Sequence, residues 1–87
     1  MADVTTRVKF AVNQWCTTAS NRQPPVPITL DTTLSSLRPG GYDLLRIYVN
    51  DEFRDESNFP ISSAKWTTLN AQTVADVRDE VLDRVER

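Results

Sequence analysis

The sequence predicts an all-α fold: a small four-helix bundle built as one domain over residues 1–87, with a long loop between the first two helices and a short third helix. Three observations predict it. Apolar residues recur at helical spacing near both ends of the chain, as Val4, Val8, Ala11, Val12 and Trp15 at one and as Val74, Val77, Val81 and Val85 at the other. A third such set, Leu44, Leu45, Tyr48 and Val49, lies in the middle, directly after a Pro-Gly-Gly turn. Thr73 followed by Asp76 is a capping box, in which each side chain serves the other residue's backbone N–H at a helix start.

The first helix is expected from Val4 to about Trp15, with Asp3 as its N-cap and with Arg7, Asn13 and Gln14 turned to solvent. Beyond it "TTASN" dissolves the pattern, and Pro24, Pro25 and Pro27 stop any regular helix or central strand. The stretch "PITLDTTLSSL" is expected to fold as an anchored loop. Ile28, Leu30, Leu34 and Leu37 hold it to the core, and Asp31 caps a short turn containing Leu34.

Gly40-Gly41 reads as a conformational hinge into the central helix, which runs from Gly41 or Tyr42 to about Arg54; Ile47 and Phe53 widen its apolar surface. "RDESN" ends that helix. A short helix over "SSAKW", started by Pro60 or Ser62, carries Trp66 inward. The closing helix adds Leu82 to its valine stripe. Its valines leave a strand thinkable, but alternation would place Ala75 and Asp79 on the face of Val77 and Val81, so period and cap favour helix.

Composition narrows the function classes. A chain of 87 residues and net charge −2 has apolar surface to bury, at 39% hydrophobic residues, and carries no concentrated basic stripe for nucleic-acid phosphates. Its charge is uneven, slightly basic before Leu30 and acidic over Asp43–Glu56, which favours a protein partner with a basic surface. No apolar run is long enough to insert into a membrane. The single cysteine makes no internal disulfide, so a reducing, cytoplasmic setting is expected.

Reactive groups are few. The chain has no histidine, which removes the side chain that most often titrates near neutrality, and Cys16 reads as a small semi-buried residue rather than a nucleophile. Asp51, Glu52, Asp55 and Glu56 read as a solvated helix face. Nothing in the sequence separates their pKa values for acid–base work, and their spacing departs from a calcium loop. No enzyme activity and no metal site are expected.

The order of these pieces resembles the acyl and peptidyl carrier protein family along nearly the whole chain. The resemblance rests on the amphipathic opening helix, the loop "ITLDTTLSSL", the acidic "YDLLRIYVNDEF", "FPIS" before a short helix, and the closing "TVADVRDEV". It implies a non-catalytic module that meets partner proteins, a biosynthetic enzyme among them, through the second long helix. The partner-facing set is then Tyr42, Asp43, Leu45, Val49, Asp51, Glu52, Asp55 and Glu56, an acidic rim with apolar contacts inside it. Arg46 and Arg54 interrupt the rim and are available to pair with its acids.

In that family a serine at the start of this helix carries 4′-phosphopantetheine. Here the matching positions fall among Pro39, Gly40, Gly41, Tyr42, Asp43 and Leu44, none of which is serine. The expectation is therefore a carrier-like accessory module without a prosthetic group. The alternative is a functional carrier modified at Ser36, where "SSL" partly echoes the family's Asp-Ser-Leu, although Pro39-Gly40-Gly41 would break a helix begun there.

Overall fold

A computed structural model describes residues 3–18 and 27–86. Five α-helices follow in order: α1 (Val4–Thr18), α2 (Leu34–Leu37), α3 (Tyr42–Glu52), α4 (Ser63–Leu69) and α5 (Val74–Glu86). No strand occurs among the described residues; the only sheet-like contact there is an isolated antiparallel bridge between Thr33 and Thr73. Pro24 and Pro25, expected to break the chain after α1, lie outside the described residues.

α1 packs against both α3 and α5, and α4 against α3. One cluster fills the space between them. Val8, Ala11, Val12 and Trp15 of α1 meet Leu45 and Val49 of α3 and Val74, Val77 and Val81 of α5, all with no exposed surface. Leu34 and Leu37 of α2, Trp66 of α4 and Ile61 from the segment before α4 close the cluster. The inward members of the three expected stripes thus form the core, with Val4, Leu44, Tyr48 and Val85 partly buried against it, and burial of such side chains, about 1.5–3 kcal/mol apiece, dominates what holds the helices together.

Helix starts obey the expected chemistry with one exception. Thr6 N–H donates to the Asp3 carboxylate at 2.8 Å, Lys65 N–H to the Ser62 hydroxyl at 3.1 Å, and Asp76 N–H to the Thr73 hydroxyl at 3.3 Å. The Asp76 carboxylate answers by accepting from Thr73 N–H at 3.1 Å and Gln72 N–H at 2.9 Å. α5 is further satisfied by the loop before α2, whose Thr32 and Leu30 carbonyls accept from Val74 N–H and Ala75 N–H at 3.0 Å each. Those two amides would be orphans in a free helix. Asp31 is the exception: the N-cap of α2 is Thr33, and it makes no side-chain capping bond. A single-turn helix gains its place from buried Leu34 and Leu37 instead.

Helix lengths differ slightly from the expected ones. α1 continues to Thr18 because Cys16 extends the buried stripe and the Thr17 hydroxyl donates back to the Asn13 carbonyl at 2.7 Å. α3 stops at Glu52, two residues early, because buried Phe53 leaves helical geometry at φ −107°, ψ 22°.

Candidate functional site

The start of α3 is fixed by its glycines. Gly40 has φ 113° and Gly41 φ 71°, values that side-chain-bearing residues avoid. The Gly41 carbonyl accepts from Leu44 N–H and Leu45 N–H, and from the indole N–H of Trp15 at 2.8 Å. Arg38 completes the junction: its guanidinium donates to the Trp15 carbonyl at 3.0 Å, satisfying one of the carbonyls left over near the end of α1. Tyr42 lies against Trp15 with ring centroids 5.8 Å apart and remains 38% exposed.

Along the outward face of α3, Asp43, Ile47 and Asp51 follow one another every four residues, all exposed. Ile47 is 51% exposed, so it does not widen the buried surface; it stands alone between two carboxylates. Leu45 and Val49, expected among the partner contacts, belong to the core with no exposed surface. They occupy the inner side of the same helix, where a partner does not reach. The apolar contact available on α3 comes from Tyr42 and Ile47.

The acids are largely engaged. Arg46 donates to both Asp43 oxygens at 2.9 and 3.3 Å, and Arg54 to Asp51 at 3.0 Å, the pairings expected of these arginines. Arg7, expected in solvent, instead reaches from α1 to the far end of α3. Its Nε donates to Glu52 Oε1 at 3.1 Å and its Nη2 to Asp55 at 3.2 Å, while the guanidinium lies 4.4 Å from the Phe53 ring centroid. The Asp43 carboxyl is held below the usual carboxylate range by Arg46, and that of Asp55 by Arg7. Sequence held one sign of this: Arg7 immediately precedes Val8 and stands four before Ala11, at the margin of the buried stripe.

The expected rim is consequently three places. Asp51, Glu52 and Asp55 gather round Arg7 and Arg54; half-buried Glu56 lies by Asp3 and Val85 at the start of α1; Tyr42 and Asp43 lie at the opposite end of α3. There they border a cleft of about 260 Å³ whose other walls are Leu34, Trp66, Asn70 and Gln72. No sequence pattern marks this cleft, because it joins α2, the start of α3 and the α4–α5 turn. Ser36 is exposed on α2, and its hydroxyl donates to the Thr33 carbonyl at 2.7 Å.

Cys16 is buried, and desolvation pushes its thiol up, which disfavours the thiolate a nucleophile needs. No group of three or more acidic or cysteine side chains among the described residues is placed to hold a metal ion, and no described helix is long and apolar enough to cross a membrane. No protein-family model, curated protein or solved structure matches this chain.

Proposed function

We propose that this chain is a non-catalytic, carrier-protein-like module without a prosthetic group, and that it acts by presenting the outer face of α3 to a protein partner with a basic surface. The observation that carries this reading is Ile47, half exposed between Asp43 and Asp51. An apolar contact bounded by carboxylates suits a partner that brings an apolar residue ringed by lysine or arginine. The intrahelical pairs of Asp43 with Arg46 and Asp51 with Arg54 do not block it. Ion pairs whose carboxylates face solvent are weak, so a partner's cation exchanges with them readily. Nucleic acid is a poor fit, since Arg7, Arg46, Arg54 and Arg84 are each turned to carboxylates of the same chain. A cytoplasmic biosynthetic enzyme is the kind of partner this reading names.

The second reading is an acyl or peptidyl carrier modified with 4′-phosphopantetheine at Ser36, favoured by the exposure of that residue. Against it, a phosphate gains from the donors and dipole at the start of a long helix, whereas Ser36 lies inside a single turn and already donates to Thr33.

Two measurements divide these readings. Photo-crosslinking from position 47 in cells is expected to join the chain to one protein, with the product lost in Asp51→Lys and reduced by salt; absence of any product would remove the partner reading. Intact mass after incubation with a phosphopantetheinyl transferase and coenzyme A is expected to stay unchanged. Gain of one pantetheine arm, lost in Ser36→Ala, would establish the carrier instead.

A further inference from the structure

α4 has a thin hold on the rest of the fold. Trp66 is its one buried side chain and Leu69 is partly buried, while Ser63, Ala64, Lys65, Thr67 and Thr68 face solvent. Trp66, Thr67 and Asn70 also line the cleft of about 260 Å³ shared with Leu34 and Tyr42, so part of the inner side of α4 meets a gap rather than packed atoms. Seven residues are too few for a helix to hold itself in water. Thr67 and Thr68 weaken it further, since their hydroxyls donate to the Ser63 and Ala64 carbonyls four residues back at 3.0 Å each.

The chain is pinned firmly on either side of this helix. Before it, buried Ile61 has both backbone groups clasped by the Asn50 side chain at 3.0 and 2.8 Å, with Arg46 donating to the same carbonyl at 3.2 Å. After it, the Gln72 carbonyl accepts from Leu34 N–H at 2.9 Å, and Gln72 N–H donates to the Asp76 carboxylate at 2.9 Å. Between these pins the polar ties are weaker: Ser63 meets the exposed Asp43 carboxylate, and the half-exposed Lys65 ammonium stands 3.9 Å from Glu80.

We propose that α4 is a flap: residues 62–71 leave the fold as a unit and lose their helix between fixed points at Ile61 and Gln72, while α1, α3 and α5 stay packed. Opening surrenders the burial of Trp66, whereas global unfolding surrenders the whole of the cluster that α1, α3 and α5 share. The smaller loss makes the open form the more populated of the two. It bares Leu34 and the indole of Trp66 beside Tyr42, apolar surface that the closed form hides. The flap does not depend on what the outer face of α3 meets.

The test is native-state hydrogen exchange on the full chain, followed by NMR in rising urea below the unfolding transition. The amides of Trp66 and Asn70, bonded to the Ser62 and Trp66 carbonyls at 2.9 and 3.3 Å, report on α4; those of Val12, Val49 and Val77 report on the core. The α4 pair is expected to exchange at least about a hundredfold faster than the core set, and with a shallower urea dependence because opening exposes less surface than unfolding. Val8→Ala, in α1 beside the end of α3 remote from Tyr42, is expected to speed the core set alone, since its contacts survive the opening. Exchange of the α4 pair at the unprotected rate, or at the rate and urea dependence of the core, would overturn the inference, as would equal acceleration of both sets by Val8→Ala. The comparison within the natural chain needs no variant, so it decides the matter even where Val8→Ala fails to fold.

Discussion

Trp15 donates its indole N–H to the Gly41 carbonyl at 2.8 Å, tying the last turns of α1 to the first residue before α3. The contact exists only because Gly41 holds φ 71°, ψ 26°, which turns that carbonyl toward α1 while it also begins the α3 hydrogen-bond ladder.

Gly41→Ala tests this junction. A Cβ there would meet the Arg38 guanidinium at 3.2 Å, a contact a long side chain can relieve, so the cost comes mainly from left-handed backbone. A loss of about 1–2 kcal/mol is expected in urea unfolding. Trp15→Phe keeps most of the packing and removes the hydrogen bond, for which a loss of about 1 kcal/mol plus some packing is expected. A neutral Gly41→Ala would show that the turn is not held as described.

Glu80 gives a second case. It is 8% exposed, with Arg84 Nε at 3.4 Å and Lys65 Nζ at 3.9 Å, and Arg84 also donates to the Asn58 carbonyl at 2.7 Å while Asn58 donates back to the Arg84 carbonyl at 2.8 Å. Glu80→Ala removes the carboxylate beside the largely buried Arg84 guanidinium. The expected loss is about 2–4 kcal/mol by thermal or urea unfolding, with Glu80→Ala/Arg84→Met recovering part of it. Equal stability of the single and double variants would count against the pair.

What the sequence made legible divides along a physical line. Features set by residues within one turn were readable: the Asp3 and Thr73–Asp76 caps, the inward valines of α5, the glycine turn before α3 and the pairing of Arg46 and Arg54 with nearby acids. Features made by residues far apart were not. Arg7 finds Glu52 and Asp55, Asn50 clasps both backbone groups of Ile61, and buried Glu80 meets Lys65 of α4. Leu45 and Val49 were misplaced because a helix with apolar residues over much of its circumference does not itself say which of them turns inward. Packing against α1 decides that, with Leu45 in the shared core and Ile47 left outside.

That division predicts unlike outcomes for neighbouring positions of α3. Leu45→Ala opens a cavity in the core and is expected to cost about 2–5 kcal/mol. Ile47→Asp is expected to change stability by no more than about 1 kcal/mol, chiefly through its like charge with Asp43 and Asp51, while abolishing partner crosslinking from a probe moved to Tyr42. Destabilisation by Ile47→Asp as large as that by Leu45→Ala would mean that Ile47 belongs to the core.

The start of α5 should make stability depend on acid. The Asp76 carboxyl is held below the usual carboxylate range by the N–H groups of Gln72 and Thr73, so the folded state binds its proton less readily than the unfolded chain does. Its contribution is then present above the unfolded value of about 4 and is lost as pH falls through the lower folded value. Asp3, Asp43 and Asp55 shift the same way and add to the trend. Asp76→Asn keeps an acceptor oxygen for the cap but removes the titration, so the decline in urea midpoint between pH 7 and pH 3 should become shallower. Thr73→Ala, by contrast, removes the uncharged half of the capping box and should lower stability by about 1 kcal/mol across that whole range. An acid decline as steep in Asp76→Asn as in the natural chain would place the acid sensitivity elsewhere, with Asp55 and its bond to Arg7 next in line.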